Sequence, residues 1–152
     1  LSQTMKKRIW IYASFALVLL VAYFANTAIQ THLGRKALKA TGLTHHDLPE
    51  AMQLARQQNK LVLADLSAIW CPSCRKLDRQ VFSDADVHAA IDRQFVFARL
   101  EYDSEAGQAF KKKYGTKGFP ALVVIDAKGD LVKHLPITFD PGEFVANLSA
   151  LQ

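Results

Sequence analysis

Two cysteines occur in the 152 residues, and they stand together in Trp70-Cys71-Pro72-Ser73-Cys74. Sulfurs at that spacing at the start of a helix can close a small disulfide ring, and the helix N-terminus favours the thiolate of the first. This predicts Cys71 as an accessible nucleophile and the more buried Cys74 as the thiol that resolves its adducts. Thiol-disulfide exchange needs that asymmetry, one sulfur to attack and a second to release the mixed disulfide. Asp65 is the other residue of chemical interest. It sits in the apolar run Leu61-Val-Leu-Ala-Asp-Leu66, where a carboxyl is costly unless paired or protonated and where burial raises its pKa.

Other uses of a C-x-x-C pair fit less well. Covalent haem attachment needs a histidine where Arg75 stands, and a zinc site needs two further ligands while His32, His88 and His134 are scattered. A copper-handling pair and a purely structural disulfide remain as alternatives, the latter weakened because so short a loop removes little chain entropy. No metal site and no cofactor are expected beyond the redox-active Cys71–Cys74 pair.

The elements that must position these residues follow from pattern. A helix from Pro49 to Gln58 precedes a strand buried on both faces, Leu61 to Leu66. The cysteine turn leads into a helix from Cys71 to Gln80, and Ser83-Asp84 caps another that runs to Asp92. Phe95 to Leu100 reads as a strand, and Ser104 to Tyr114 as a helix ended by Gly115. Two strands, Ala121 to Asp126 and Leu131 to His134, flank the hairpin composition Ala127-Lys-Gly-Asp130, and Asp140-Pro141 opens a terminal helix. This alternation predicts an α/β fold, a central mixed sheet with helices on both faces, in residues 47–152.

Ahead of that domain, Ile9 to Ala25 carries no charge, and its apolar character persists to Ile29. A run of about 20 residues crosses a hydrocarbon core of about 30 Å, so residues 9–29 are expected to span a bilayer as an uncleaved signal anchor. Trp10, Tyr12 and Tyr23 suit interfacial belts, and Lys6-Lys7-Arg8 marks residues 1–8 as a cytoplasmic N-region. Met5 is a possible natural start. Residues 30–46 read as a tether, with His45-His46 as solvated linker residues. The formal charge of +5 invites a nucleic-acid reading, but every acid lies at or after Asp47 and six bases lie before it. From residue 44 onward thirteen bases face fourteen acids, so the positive charge flanks the membrane segment and no nucleic-acid partner is expected.

Taken together, a strand, Trp-Cys-x-x-Cys, a helix, and Lys117-Gly-Phe-Pro120 before a hairpin resemble the thioredoxin superfamily over about residues 48–151. The run Leu63-Ala-Asp-Leu-Ser-Ala-Ile-Trp-Cys71 and Val81-Phe-Ser-Asp84 are most similar to the C-terminal domain of the transmembrane thiol-disulfide interchange reductases of the bacterial periplasm. The resemblance implies a thioredoxin-like fold, Cys71 as attacking thiolate, Cys74 as resolving thiol and Asp65 as proton acceptor for Cys74. It further implies Pro120 as a cis-proline facing the sulfurs, and a substrate surface of Trp70, Pro72, Ser73, Phe119 and Pro120. By the same resemblance the chain is an oxidoreductase that reduces exported proteins carrying disulfides, fed by a membrane or periplasmic thiol donor and held in the inner membrane with its domain in the periplasm. An oxidase, an isomerase and a copper-transfer module are the alternatives. Arg99 replaces the family's usual lysine beside the buried acid, Ile69 an acid before the tryptophan, Ala121 a threonine, and Ile137-Thr138 a glycine loop.

Overall fold

Along the first strand of the domain the side chains alternate between two packed layers, and that alternation sets the architecture. A computed structural model describes residues 3–151. In chain order the elements are α1 (Gln3–Thr41), α2 (Leu48–Gln58), β1 (Leu61–Ser67), α3 (Pro72–Gln80) and α4 (Ala85–Gln94). There follow β2 (Phe95–Glu101), α5 (Glu105–Tyr114), β3 (Ala121–Ile125), β4 (Leu131–Leu135) and α6 (Pro141–Ser149). The sheet order is β2-β1-β3-β4, with β1 parallel to β2 and antiparallel to β3, and β3 antiparallel to β4.

Val62, Ala64 and Leu66 of β1 face a core with Ala51 and Ala55 of α2 and Phe110 and Tyr114 of α5. Leu63 faces the other, built from Leu77 of α3, Val87 and Ile91 of α4, and Phe144 and Leu148 of α6. Asp65 and Ser67 occupy the next two places in that second row, so a carboxyl enters an apolar layer by register alone. The helix boundaries expected from caps hold closely. Asp47, Asp84, Ser104 and Asp140 each accept backbone hydrogen bonds from the first turn of the helix that follows, and Gly115 ends α5 at φ 65°.

The N-terminal third departs from expectation. Residues 30–41 are not a tether, because α1 continues unbroken to Thr41 and packs along α3. Gly34, Ala37 and Thr41 are buried on one face, with Thr27, Gln30, Thr31 and Leu38 half-buried around them. Small residues make this contact through close backbone approach, which a search for apolar periodicity does not register. A Cβ on Gly34 would stand 1.7 Å from the Ile69 carbonyl oxygen, so only glycine fits. Gly42 at φ 68° turns the chain, Leu43 enters the second core, and His46 pairs with β2, donating to the Phe97 carbonyl and accepting from the Arg99 amide, both at 3.1 Å. His46 is thus part of the sheet edge rather than a solvated linker residue. The apolar half of α1 is exposed from Ile9 to Asn26 and again at Ala28 and Ile29, and is long and apolar enough to cross a membrane. Leu1, Ser2 and Gln152, the ends of the expected N-region and terminal helix, lie outside the described residues.

Phe82 joins the layers of the second core, its ring edge-on to Phe97 at 5.0 Å and to Phe144 at 5.8 Å. Phe82→Ala is expected to cost about 3–5 kcal/mol of stability, read as a lowered urea midpoint. A cost under 1 kcal/mol would mean that this core collapses freely around the missing ring.

Candidate active site

The turn Ala68–Cys71 leaves β1 and immediately starts α3, with Cys71 as the capping residue and Pro72 at the first helical position. Cys71 Sγ accepts from the Cys74 amide at 3.2 Å, and Ser73 Oγ lies 3.1 Å from the same sulfur. The capping place that serine or aspartate commonly fills is thus held by the sulfur expected to attack. Both cysteines are free thiols. Cys74 is 1% exposed, and burial, together with the neighbouring Cys71, pushes its thiol far above the ordinary range. At neutral pH it stays protonated, and another group must take its proton before it can act.

A buried carboxyl stands nearby. Asp65 is fully buried and near enough to raise the Cys74 thiol. Burial raises its own pKa to about 6, against the pull of Arg99 and of the Ser67 hydroxyl, which donates to Oδ1 at 2.6 Å. Arg99 Nη1 bonds Asp65 Oδ2 at 3.0 Å and Asp78 Oδ1 at 2.7 Å. Asp78, on α3 and 1% exposed, is also raised by burial. Burial opposes charge on Arg99, but the two carboxylates outweigh it and hold the guanidinium charged. One cation between two carboxylates leaves one negative charge uncompensated, so the cluster readily takes up a proton.

Around the sulfurs stands an aromatic wall. Phe119 and Tyr102 pack against the cluster of Ala68, Cys71 and Cys74, and their rings lie 4.3 Å apart. Trp70 meets Phe119 edge-on at 5.4 Å, is 38% exposed, and donates from Nε1 to Asp103 at 2.7 Å. Cys71 is only 3% exposed, less open than expected for an attacking sulfur, because this wall closes over it. The Phe119–Pro120 peptide is cis, and a cleft of about 610 Å³ runs past both residues to His134 and Ile137. Pro72 and Ser73 are exposed at the start of α3. Thr138 does not face that surface freely, since its hydroxyl is bonded to Glu143 at 2.6 Å.

Sequence reading missed four participants. Asp78 falls inside the helix read from Cys71 to Gln80 with no role assigned, and Glu101, Tyr102 and Asp103 fall between the strand ending at Leu100 and the helix starting at Ser104. The structure sets Glu101 against the Ile69 amide at 2.9 Å and Asp103 against Trp70, so acids from the end of β2 and the turn after it stand where position 69 lacks one. The signal available was register. Arg99 pairs directly with Asp65 across parallel strands, and Asp78 lies one helical turn beyond Cys74, on the same face of α3.

Asp65 titrates near 6 when folded and near 3.8 in its ordinary state, so between those values the native protein holds a proton that the unfolded chain has lost. Its stabilising contribution is whole below about pH 3.8 and is lost as pH rises through 6. Two units correspond to about 3 kcal/mol. The Asp65→Asn chain is therefore expected to be more stable than wild type at pH 8, by up to about 3 kcal/mol in urea unfolding, and to lose that advantage at pH 4. Parallel stability curves across this range would show that Asp65 is not a strained buried acid.

Residues 43–127 match the family model described as thioredoxin-like. Over 104 residues, 67% of this chain, the sequence is 32% identical to thiol:disulfide interchange protein DsbD of Ralstonia nicotianae. Over 108 residues, 70% of the chain, it is 30% identical to UBX domain-containing protein 2 of Schizosaccharomyces pombe. These alignments take in 17% and 25% of the two relatives, so the chain spans a quarter or less of the curated proteins it matches. Among solved structures, a thioredoxin from Thermus thermophilus superposes with a TM-score of 0.62 at 25% identity, covering 72% of this chain and 86% of its own. The reduced C-terminal domain of Neisseria meningitidis DsbD gives 0.58 at 26% identity, covering 69% and 94%. The match runs from the turn after α1 through the cysteine pair to the end of β3, and on that extent the chain belongs to the thioredoxin-like family.

Proposed function

We propose that this chain is a membrane-anchored thiol-disulfide oxidoreductase that reduces disulfides of exported proteins, with Cys71 attacking and Cys74 resolving. The observation that carries the reading is the capping of α3 by Cys71 above a buried Cys74 that shares its chamber with a carboxyl titrating near 6. Cys71 thiolate attacks one sulfur of the substrate disulfide. That S–S bond breaks, a mixed disulfide forms, and the departing sulfur takes a proton. Asp65 then takes the proton of Cys74, whose thiolate attacks Cys71 and expels the second substrate sulfur. Two electrons have passed to the substrate, and the chain is left with a Cys71–Cys74 disulfide that an external dithiol must reduce. The exposed apolar half of α1 supports membrane attachment, and Lys6-Lys7-Arg8 at its start supports a cytoplasmic N-terminus with the domain in the periplasm. Similarity to thiol:disulfide interchange protein DsbD supports thiol-disulfide exchange, and the reductive direction rests on the resemblance to the interchange reductases.

Cys74→Ala is expected to trap partners from cells as mixed disulfides through Cys71, whereas recovery of none would argue against exchange. Asp65→Asn is expected to slow resolution of a preformed mixed disulfide by about 10²–10⁴ at pH 7 and to abolish its rise with pH around 6. A Cys71–Cys74 potential above about −150 mV, with no reduction of insulin, would overturn the reductive direction.

A further inference from the structure

α1 stays one helix across the point where its surface changes from exposed and apolar to docked. A helix rises 1.5 Å per residue and bends only gently without a proline or other break, so the docked half dictates where the apolar half lies relative to the domain. Two contacts and a cleft set that relation. Gly34 lies against the Ile69 carbonyl, Gln30 Oε1 accepts from Arg75 Nη1 at 2.7 Å, and a cleft of about 490 Å³ separates Tyr23, Asn26 and Thr27 from Trp70, Pro72 and Asp103. The residues on either side of Cys71 therefore stand beside Tyr23 to Gln30, a stretch of about 10 Å of helix. In a bilayer, an apolar run that ends here ends among the headgroups, where tyrosine and tryptophan rings concentrate. Trp70 and Tyr23 line the same cleft.

Resting on the reading of α1 as a membrane anchor, we propose that its docked half is a rigid spacer that holds the Cys71 site at headgroup level, and that the disulfide it reduces is one anchored in the same membrane. A flexible tether over residues 30–46 would let the site wander by about 20–25 Å and meet partners in bulk solution. The docked helix removes that freedom. It confines the sulfurs to the layer in which a membrane-held disulfide is presented, and raises the effective concentration of each for the other.

The two tryptophans, Trp10 and Trp70, allow the anchor and the spacer to be tested apart. The full chain is placed in phosphatidylcholine and phosphatidylglycerol vesicles carrying lipids spin-labelled at the headgroup or in the acyl chain. Trp70→Phe leaves Trp10 to report insertion, and Trp10→Phe leaves Trp70 to report the depth of the redox site. The expected result is quenching of Trp10 by membrane label and strong quenching of Trp70 by the headgroup label. Gly34→Leu, which collides with the Ile69 carbonyl, is expected to lower Trp70 quenching several-fold. A Gly-Ser insertion between Ile29 and Gln30, which leaves the Gly34 seat intact, is expected to do the same and carries the test if the first variant does not fold. In single turnover the reduced wild-type chain should reduce a dipalmitoylated disulfide peptide several-fold faster than the same peptide without acyl chains. Both spacer variants should lose that preference while reducing the soluble peptide at the wild-type rate. Trp10 quenched with Trp70 unquenched, or no preference for the anchored peptide, overturns the spacer and leaves the anchor standing. Neither tryptophan quenched removes the anchor and the spacer with it.

Discussion

Nη1 of Arg99 touches two buried carboxylates, Asp65 on β1 and Asp78 on α3, and the arrangement of the site depends on it. Without a cation, two carboxyls in an apolar layer would both be driven to the protonated form. With one, Arg99 draws Asp65 back down against burial, which still leaves it near 6, above the ordinary carboxylate range. The same nitrogen links the strand before the cysteine turn, the helix after it and the neighbouring strand. Removing Arg99, the one cation both carboxylates share, is the costly break, typically about 3–5 kcal/mol, because the remaining charges have no solvent to turn to. Arginine suits the place better than lysine, since it keeps its charge under burial and presents several donors to two acceptors.

In the proposed exchange the carboxyl cluster and the sulfur cap divide the chemistry between them. At the surface of the chamber, the capped Cys71 sulfur receives an amide hydrogen bond. Below it, Cys74 is held protonated by burial and by its neighbours, so it does not compete as a nucleophile. Asp65, titrating near 6, is ionised at neutral pH and basic enough to suit the proton acceptor of the proposed exchange. The aromatic wall of Trp70, Tyr102 and Phe119 limits the water that reaches these groups and strengthens each electrostatic term among them.

α1 couples this chamber to the rest of the chain through small residues rather than large ones. Gly34, Ala37 and Thr41 bring its backbone onto the turn before Cys71 and onto α3. A helix seated in this way behaves as part of the domain, which distinguishes it from a leash.

Local patterning determined most of the domain. Strand and helix existence, the capping residues, Gly115, the hairpin at Ala127–Asp130 and the roles suggested for Cys71 and Cys74 all follow from short-range rules, because turns, caps and alternation are encoded within a few residues. Three features did not follow. Asp78 joined the site because α3 folds back over the second row of β1 and β2; its spacing from Cys74 puts it on the same helix face, but its meeting with Arg99 depends on that packing. Glu101 and Asp103 came to the cysteine turn through the parallel register of β2, more than thirty positions away in the chain. Residues 30–41 carry no apolar stripe, so their helix is legible as propensity, while its seat on α3 rests on the close approach of Gly34 to a carbonyl supplied by another element. Sequence determined which groups were available for sulfur chemistry, and tertiary packing decided which charges meet in the interior, because desolvation and register act between segments that only the fold brings together.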